Sequence, residues 1–83
     1  MILPSKHIPE HRSLAAIGGE ILAQLDEPRA VSEVWERVLA TRRSLNQMPA
    51  LPYDWFILAM TFLFAIFAIE QSNGLIHRSG GQP

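Results

Sequence analysis

Few side chains in this 83-residue chain have types and spacings that could do chemistry. His7 and His11 stand four apart, the separation that lets two imidazoles on one helix face hold a metal. Pro9 between them opposes a helix there, and no third ligand stands nearby, so no metal site is expected. Glu70 and His77 would face each other across a turn at Asn73-Gly74, where a cross-strand polar pair is a more ordinary role than an acid–base couple. The sequence holds no cysteine, which removes disulfides, thiolate zinc sites and a thiolate nucleophile. It also offers no Gly-rich phosphate loop, no carboxylate pair set in a plausible pocket and no nucleophile with an identifiable base. The expectation is a protein without catalytic residues, cofactor or metal. Arg37, Arg42, Arg43 and Arg78 are the candidates for phosphate contact. A formal net charge of −1 supplies no basic field, and Glu33 with Arg37 at i,i+4 reads as an ordinary solvated surface pair.

The elements that must position these residues are set by hydrophobic patterning. Nearly half the chain is apolar, and the run Trp55–Ile69, WFILAMTFLFAIFAI, passes fifteen residues without a charge, with Thr61 its only polar member. As a helix it would span roughly 22 Å, against about 30 Å for a bilayer core, which makes it short for a membrane span. Asp54 is its candidate cap, and the turn-forming Ser72-Asn73-Gly74 follows soon after Glu70. A first helix is expected from Ser13, where Leu14, Ile17, Ile21, Leu22 and Leu25 recur at helical spacing until Pro28. Gly18-Gly19 inside it calls for a close helix approach. Arg29-Ala30-Val31 is a very short strand or an extended linker. Ser32 is the candidate cap of a second helix, with Glu33 and Glu36 in its first turn and Arg42 and Arg43 near its end. Val31, Val34, Trp35, Val38 and Leu39 form its apolar stripe, and Trp35 is expected in the core.

The hairpin centred on Asn73-Gly74 completes the order helix, short strand, helix, helix, hairpin. That is the layout of a winged helix-turn-helix: mainly α with a small β-hairpin, three helices plus a wing. The expected division is an extended lead-in over 1–12, the winged domain over 13–78 and a tail over 79–83. A start of Met1-Ile2-Leu3-Pro4 has neither a basic segment nor an apolar h-region, so no signal peptide is expected and the cytoplasm is the default location. At 100° per residue, Trp55, Leu58, Ala59, Phe62, Leu63, Ile66 and Ile69 cluster on one side of the third helix. Phe56, Met60, Phe64 and Phe67 cluster on the other. Two readings stay open: both sides are enclosed in a small core, or part of the Phe56, Met60, Phe64 and Phe67 side is a protein interface. The second is carried forward, with a partner, a homodimer or a membrane as the cover. In a DNA-reading relative the third helix presents polar and basic side chains to base edges, and here it offers Thr61 alone.

The segments MILPSKHIP, SLAAIGGEILAQLDEP, VSEVWERV and YDWFILAMTFLFAIFAIEQSNGLIHR together resemble the small middle-component proteins of bacterial ABC-three-component systems, the sixth middle-component type. The resemblance runs over nearly the whole chain and rests on an ordered set of hydrophobic and turn positions. It implies a winged-helix adaptor that bridges an ABC-type ATPase, related to the chromosome-maintenance and repair type, and a variable effector, in a system acting against phages and plasmids. DNA would be touched only indirectly or non-specifically, and no membrane is implied. The rival classes are a small DNA-binding transcriptional regulator and a single-span membrane protein. The chain departs from the family pattern at Thr61, where an acidic residue is common, and at Phe67, where a glycine is common before the first wing strand. Both departures make the third helix more apolar.

Overall fold

The computed structural model of the chain describes residues 10–45 and 50–80, with side chains described from residue 14 onward. Helix α1 spans Glu10–Ala23, so it starts three residues ahead of Ser13, which lies inside the helix instead of capping it. Of the expected lead-in, residues 10–12 are therefore helical, and 1–9 fall outside the described residues. The helix closes with tightened turns, the Gln24 and Leu25 amides donating to the Ile21 and Leu22 carbonyls at 2.9 and 3.0 Å.

Helix α2 spans Val31–Ser44 and starts one residue before the expected cap Ser32. Ala30 occupies the cap position in extended geometry, without a side-chain hydrogen bond. Glu33 in its first turn and Arg42 and Arg43 in its last complement the helix dipole as the sequence suggests. Helix α3 spans Tyr53–Ala65, with Pro52 at the cap. Asp54 sits in the first turn and supplies charge there, not a capping bond.

The long apolar run is not one helix. Ile66 ends α3, Phe67 adopts φ +60°, and Ile69 opens strand β1, Ile69–Ser72. The Ala68 amide donates to the Leu63 carbonyl at 2.8 Å and the Phe67 amide to the Phe64 carbonyl at 3.0 Å. Those two bonds make a Schellman ending, with phenylalanine in the left-handed position that glycine usually takes. Strand β2, Leu75–Arg78, returns antiparallel in the expected register, Glu70 opposite His77. Asn73 at φ 53° and Gly74 at φ 78° supply the two left-handed residues that a tight two-residue hairpin turn demands. Ser79, assigned to the tail, extends this pairing by donating its amide to the Ala68 carbonyl at 3.0 Å.

The segment Arg29–Val31, expected as a very short strand or an extended linker, contributes a one-residue bridge. Arg29 exchanges both backbone hydrogen bonds with Ile76, at 2.9 and 2.7 Å, and Val31 already belongs to α2. The result is a winged-helix layout, mainly helical, with the wing tied to the turn between α1 and α2. One core joins Ile17 and Ile21 of α1, Leu25 just past its end, Val34 and Val38 of α2, Phe56, Ala59, Met60 and Leu63 of α3, and Ile69 and Ile76 of the wing. Gly18 explains itself here: a Cβ at that position would lie 3.0 Å from Leu63 Cδ2, so α1 and α3 approach where a side chain is missing. Gly19 meets nothing within 4 Å.

Candidate interaction surface

Helix α3 turns four side chains inward: Phe56, Ala59, Met60 and Leu63, spaced i, i+3, i+4 and i+7, all buried. Phe56 is wholly enclosed, its ring 4.9 Å from that of Trp35 and 5.8 Å from that of Tyr53. Trp35 meets Tyr53 edge-on at 5.0 Å and lies half-buried against the core. The buried stripe runs between the two sides distinguished at 100° per residue, and takes members from each. Phe56 and Met60, expected at an interface, therefore belong to the protein's own core. Phe64 and Phe67 remain outside it, 37% and 82% exposed.

The opposite stripe of α3 carries Ile57, Leu58, Thr61 and Phe64, all exposed, and Ile66 and Phe67 continue it past the helix end. No charge interrupts this surface from Trp55 to Ile69. Its one hydroxyl, Thr61 Oγ1, donates back to the Ile57 carbonyl at 3.0 Å and so is already engaged. What is left is an apolar face with no free side-chain donor.

The arginines tell the opposite story. Arg42 grips both carboxylate oxygens of Glu20 at 2.8 Å, joining α2 to α1, and this bond holds the guanidinium above its ordinary pKa. Arg37 donates to Gln24 Oε1 at 3.2 Å, not to Glu33 as the i,i+4 spacing suggests. Arg78 reaches from the wing to the Leu22 carbonyl at 2.9 Å. Three of the four cations offered for phosphate contact are thus spent on internal partners. Arg43 is exposed, with no side-chain partner among the described residues.

Sequence reasoning overlooked Arg29, the most heavily engaged cation. Only 7% exposed, it donates to the Gln24 carbonyl at 2.8 Å, to Asp26 at 2.8 Å and to Glu33 at 2.6 Å, and lies 3.2 Å from Glu27. The hydrogen bond from Arg29 holds the Asp26 carboxyl below its ordinary range. The signal was present in the acids at −3, −2 and +4 around one arginine. At the hairpin, Glu70 and His77 share the register, but the His77 ring turns elsewhere. Nδ1 meets the Arg78 carbonyl at 2.9 Å and Nε2 meets Ser72 Oγ at 3.2 Å. A carbonyl only accepts, so Nδ1 carries the proton in that contact. His7 lies outside the described residues, as does the side chain of His11. Among the described residues no helix is long and apolar enough to cross a membrane.

A family model for the ABC-three component (ABC-3C) system Middle Component 6 matches residues 3–78, from ahead of α1 to the last residue of the wing. The chain belongs to that family. No curated protein and no solved structure matches it in the corresponding comparisons. As a Middle Component 6 protein it is one component of a three-component system. The surface it could offer to other components is the outer face of α3 and the corner that follows it.

Proposed function

We propose that this Middle Component 6 protein is a non-enzymatic adaptor in the cytoplasm that docks on the ABC-type ATPase of its system and links it to an effector, in defence against phages and plasmids. The observation that carries the reading is the contrast between an uncharged, exposed outer face on α3 and arginines that are tied up at home. Phosphate recognition needs free cations and base reading needs free donors, and the Ile57, Leu58, Thr61 and Phe64 face of α3 offers neither. Docking between apolar protein surfaces needs what α3 does offer.

Co-expression with the ATPase component tests this. Phe64→Glu is expected to abolish co-purification, because it would place an unpaired carboxylate in an apolar contact, at a cost of several kcal/mol. Arg43→Glu, at a solvated site, is expected to leave the complex intact. Loss of assembly with Arg43→Glu and not with Phe64→Glu would move the interface to α2. Binding of the free chain to duplex DNA that weakens steeply with added salt would favour a DNA-binding regulator instead.

A further inference from the structure

The turn of the wing holds two groups that react with each other without an enzyme. Asn73 and Gly74 are both exposed, and a Cβ built on Gly74 would meet nothing within 4 Å. Strand pairing ends at Ser72 and Leu75, so the Gly74 amide nitrogen takes no part in the ladder. The Asn73 carboxamide makes no side-chain hydrogen bond among the described residues. A backbone nitrogen and the carboxamide of the residue before it are the reactants of a five-membered ring closure, and here neither is tied to a partner or covered by a neighbour. Left-handed φ at both residues, 53° and 78°, is that of a type I′ turn, in which the central peptide keeps the Gly74 nitrogen away from Asn73 Cγ. Flipping that one peptide gives the type II′ turn, the other two-residue connection that suits twisted strands. The flip leaves Asn73 left-handed, takes Gly74 to negative φ, which glycine adopts as readily, and breaks no strand bond. It brings the nitrogen over the side-chain carbon.

We propose that Asn73 is a site of spontaneous deamidation in the folded protein, and that the isoaspartate product unfastens the wing from the turn between α1 and α2. The Gly74 nitrogen gives its proton to a solvent base and bonds to Asn73 Cγ, while the carboxamide nitrogen leaves as ammonia. Water then opens the succinimide in one of two ways. Cleavage of the bond between Cγ and nitrogen leaves aspartate, whereas cleavage between the main-chain carbonyl carbon and nitrogen leaves isoaspartate, whose backbone runs through Cβ and Cγ. Water is the sole co-reactant, and nothing is oxidised or reduced. Isoaspartate lengthens the turn by one backbone carbon, and hairpin register depends on turn length. Ile76, two residues after Gly74, exchanges both backbone hydrogen bonds with Arg29, at 2.9 and 2.7 Å, so the misfit is delivered to that bridge. Aspartate keeps the original backbone, and Asp-Gly suits the same turn.

The test incubates the full chain in mildly alkaline buffer, folded and in urea, beside Asn73→Gly. Mass spectrometry of the fragment that follows Glu70 reads the exchange of ammonia for water, chromatography separates isoaspartate from aspartate, and deuterium labelling of each form reads the Ile76 amide. The folded chain is expected to react within about tenfold of the rate in urea, because reaction through the flipped turn needs only a minor population of it. Asn73→Gly keeps a left-handed turn without the carboxamide, and is expected to show no mass change and to retain Ile76 protection. The isoaspartate form is expected to lose protection at Ile76, and the aspartate form to keep it. A folded chain that stays unreacted, whether or not the unfolded one reacts, overturns the site. So does an equal mass gain in Asn73→Gly, which would place the reaction at a glutamine of the fragment. Isoaspartate with Ile76 still protected, or equal loss of protection in both products, overturns the unfastening.

Discussion

Helices α2 and α3 are almost equal in length, 14 and 13 residues, and they handle their outer faces in opposite ways. On α2 the buried residues are Val34 and Val38, and the exposed positions are Ser32, Glu33, Glu36, Arg37, Ala40, Thr41, Arg43 and Ser44. Its own composition states which side faces water. On α3 the covered residues Phe56, Met60 and Leu63 differ little in kind from the uncovered Ile57, Leu58 and Phe64. A helix apolar all round favours cover on every side, and among the described residues it is covered on one. The difference is that α2 turns a polar side outward, whereas α3 leaves an apolar side exposed among the described residues.

The contrast is broken most forcefully from inside. Phe56→Ala removes a fully enclosed ring packed at a tilt against Trp35 and Tyr53 and is expected to cost about 3–5 kcal/mol. In a chain this short that loss would unfold much of the population, as urea titration followed by circular dichroism would show. A fall below about 1 kcal/mol would mean that α3 is not seated as described.

Helix α1 sharpens the comparison at a smaller scale, because its two adjacent glycines sit on opposite terms. Gly19→Ala is expected to stabilise by about 1 kcal/mol, since the added methyl meets no neighbour and the helix gains a better former. Gly18→Ala is expected to forfeit that gain against Leu63 Cδ2. Thermal melts of the two variants side by side check both. Smaller still is Leu58→Lys on the outer face of α3, expected to change unfolding free energy by no more than about 0.5 kcal/mol in the isolated chain. A large loss would show that the outer face is packed.

The smallest effect is confined to acid. Asp26 has its folded pKa depressed below the ordinary 3.8, first by the hydrogen bond from Arg29. Between the two values the unfolded chain binds more protons, so the contribution is present above about pH 4 and disappears as pH falls through the folded value. Asp26→Asn should therefore flatten the acid limb of the stability profile, measured by urea titrations between pH 2 and 5.

Much of this architecture was readable from local chemistry. The Asn73-Gly74 turn fixed the wing and its register, and the charges at the two ends of α2 marked its span, because such signals act between near neighbours. The inner stripe of α3 was not readable, since periodicity carries no information when nearly every position is apolar. The end of α3 was hidden for a related reason. Phe67 stands where glycine would have punctuated the run, so Ile69 counted both with the helical run and with the hairpin's first strand, which it opens. Arg29 escaped notice because its importance arises from a turn, a helix start and a distant strand meeting around it. Of the four residues offered as an interface, Phe56 and Met60 are buried in the core and Phe64 and Phe67 are exposed, a division that periodicity left open.

The paired amide bonds between Arg29 and Ile76 have a consequence for motion. A wing held only by its own tight turn would fray on its own, exchanging its amide hydrogens quickly while the helices stayed shut. Here the second strand is stitched at its middle to the segment that launches α2, and the guanidinium of the same residue clasps that helix's first turn. Both amides should therefore exchange only when α2 also opens, with near-identical protection in deuterium labelling, so that wing and helix come apart as a single cooperative unit.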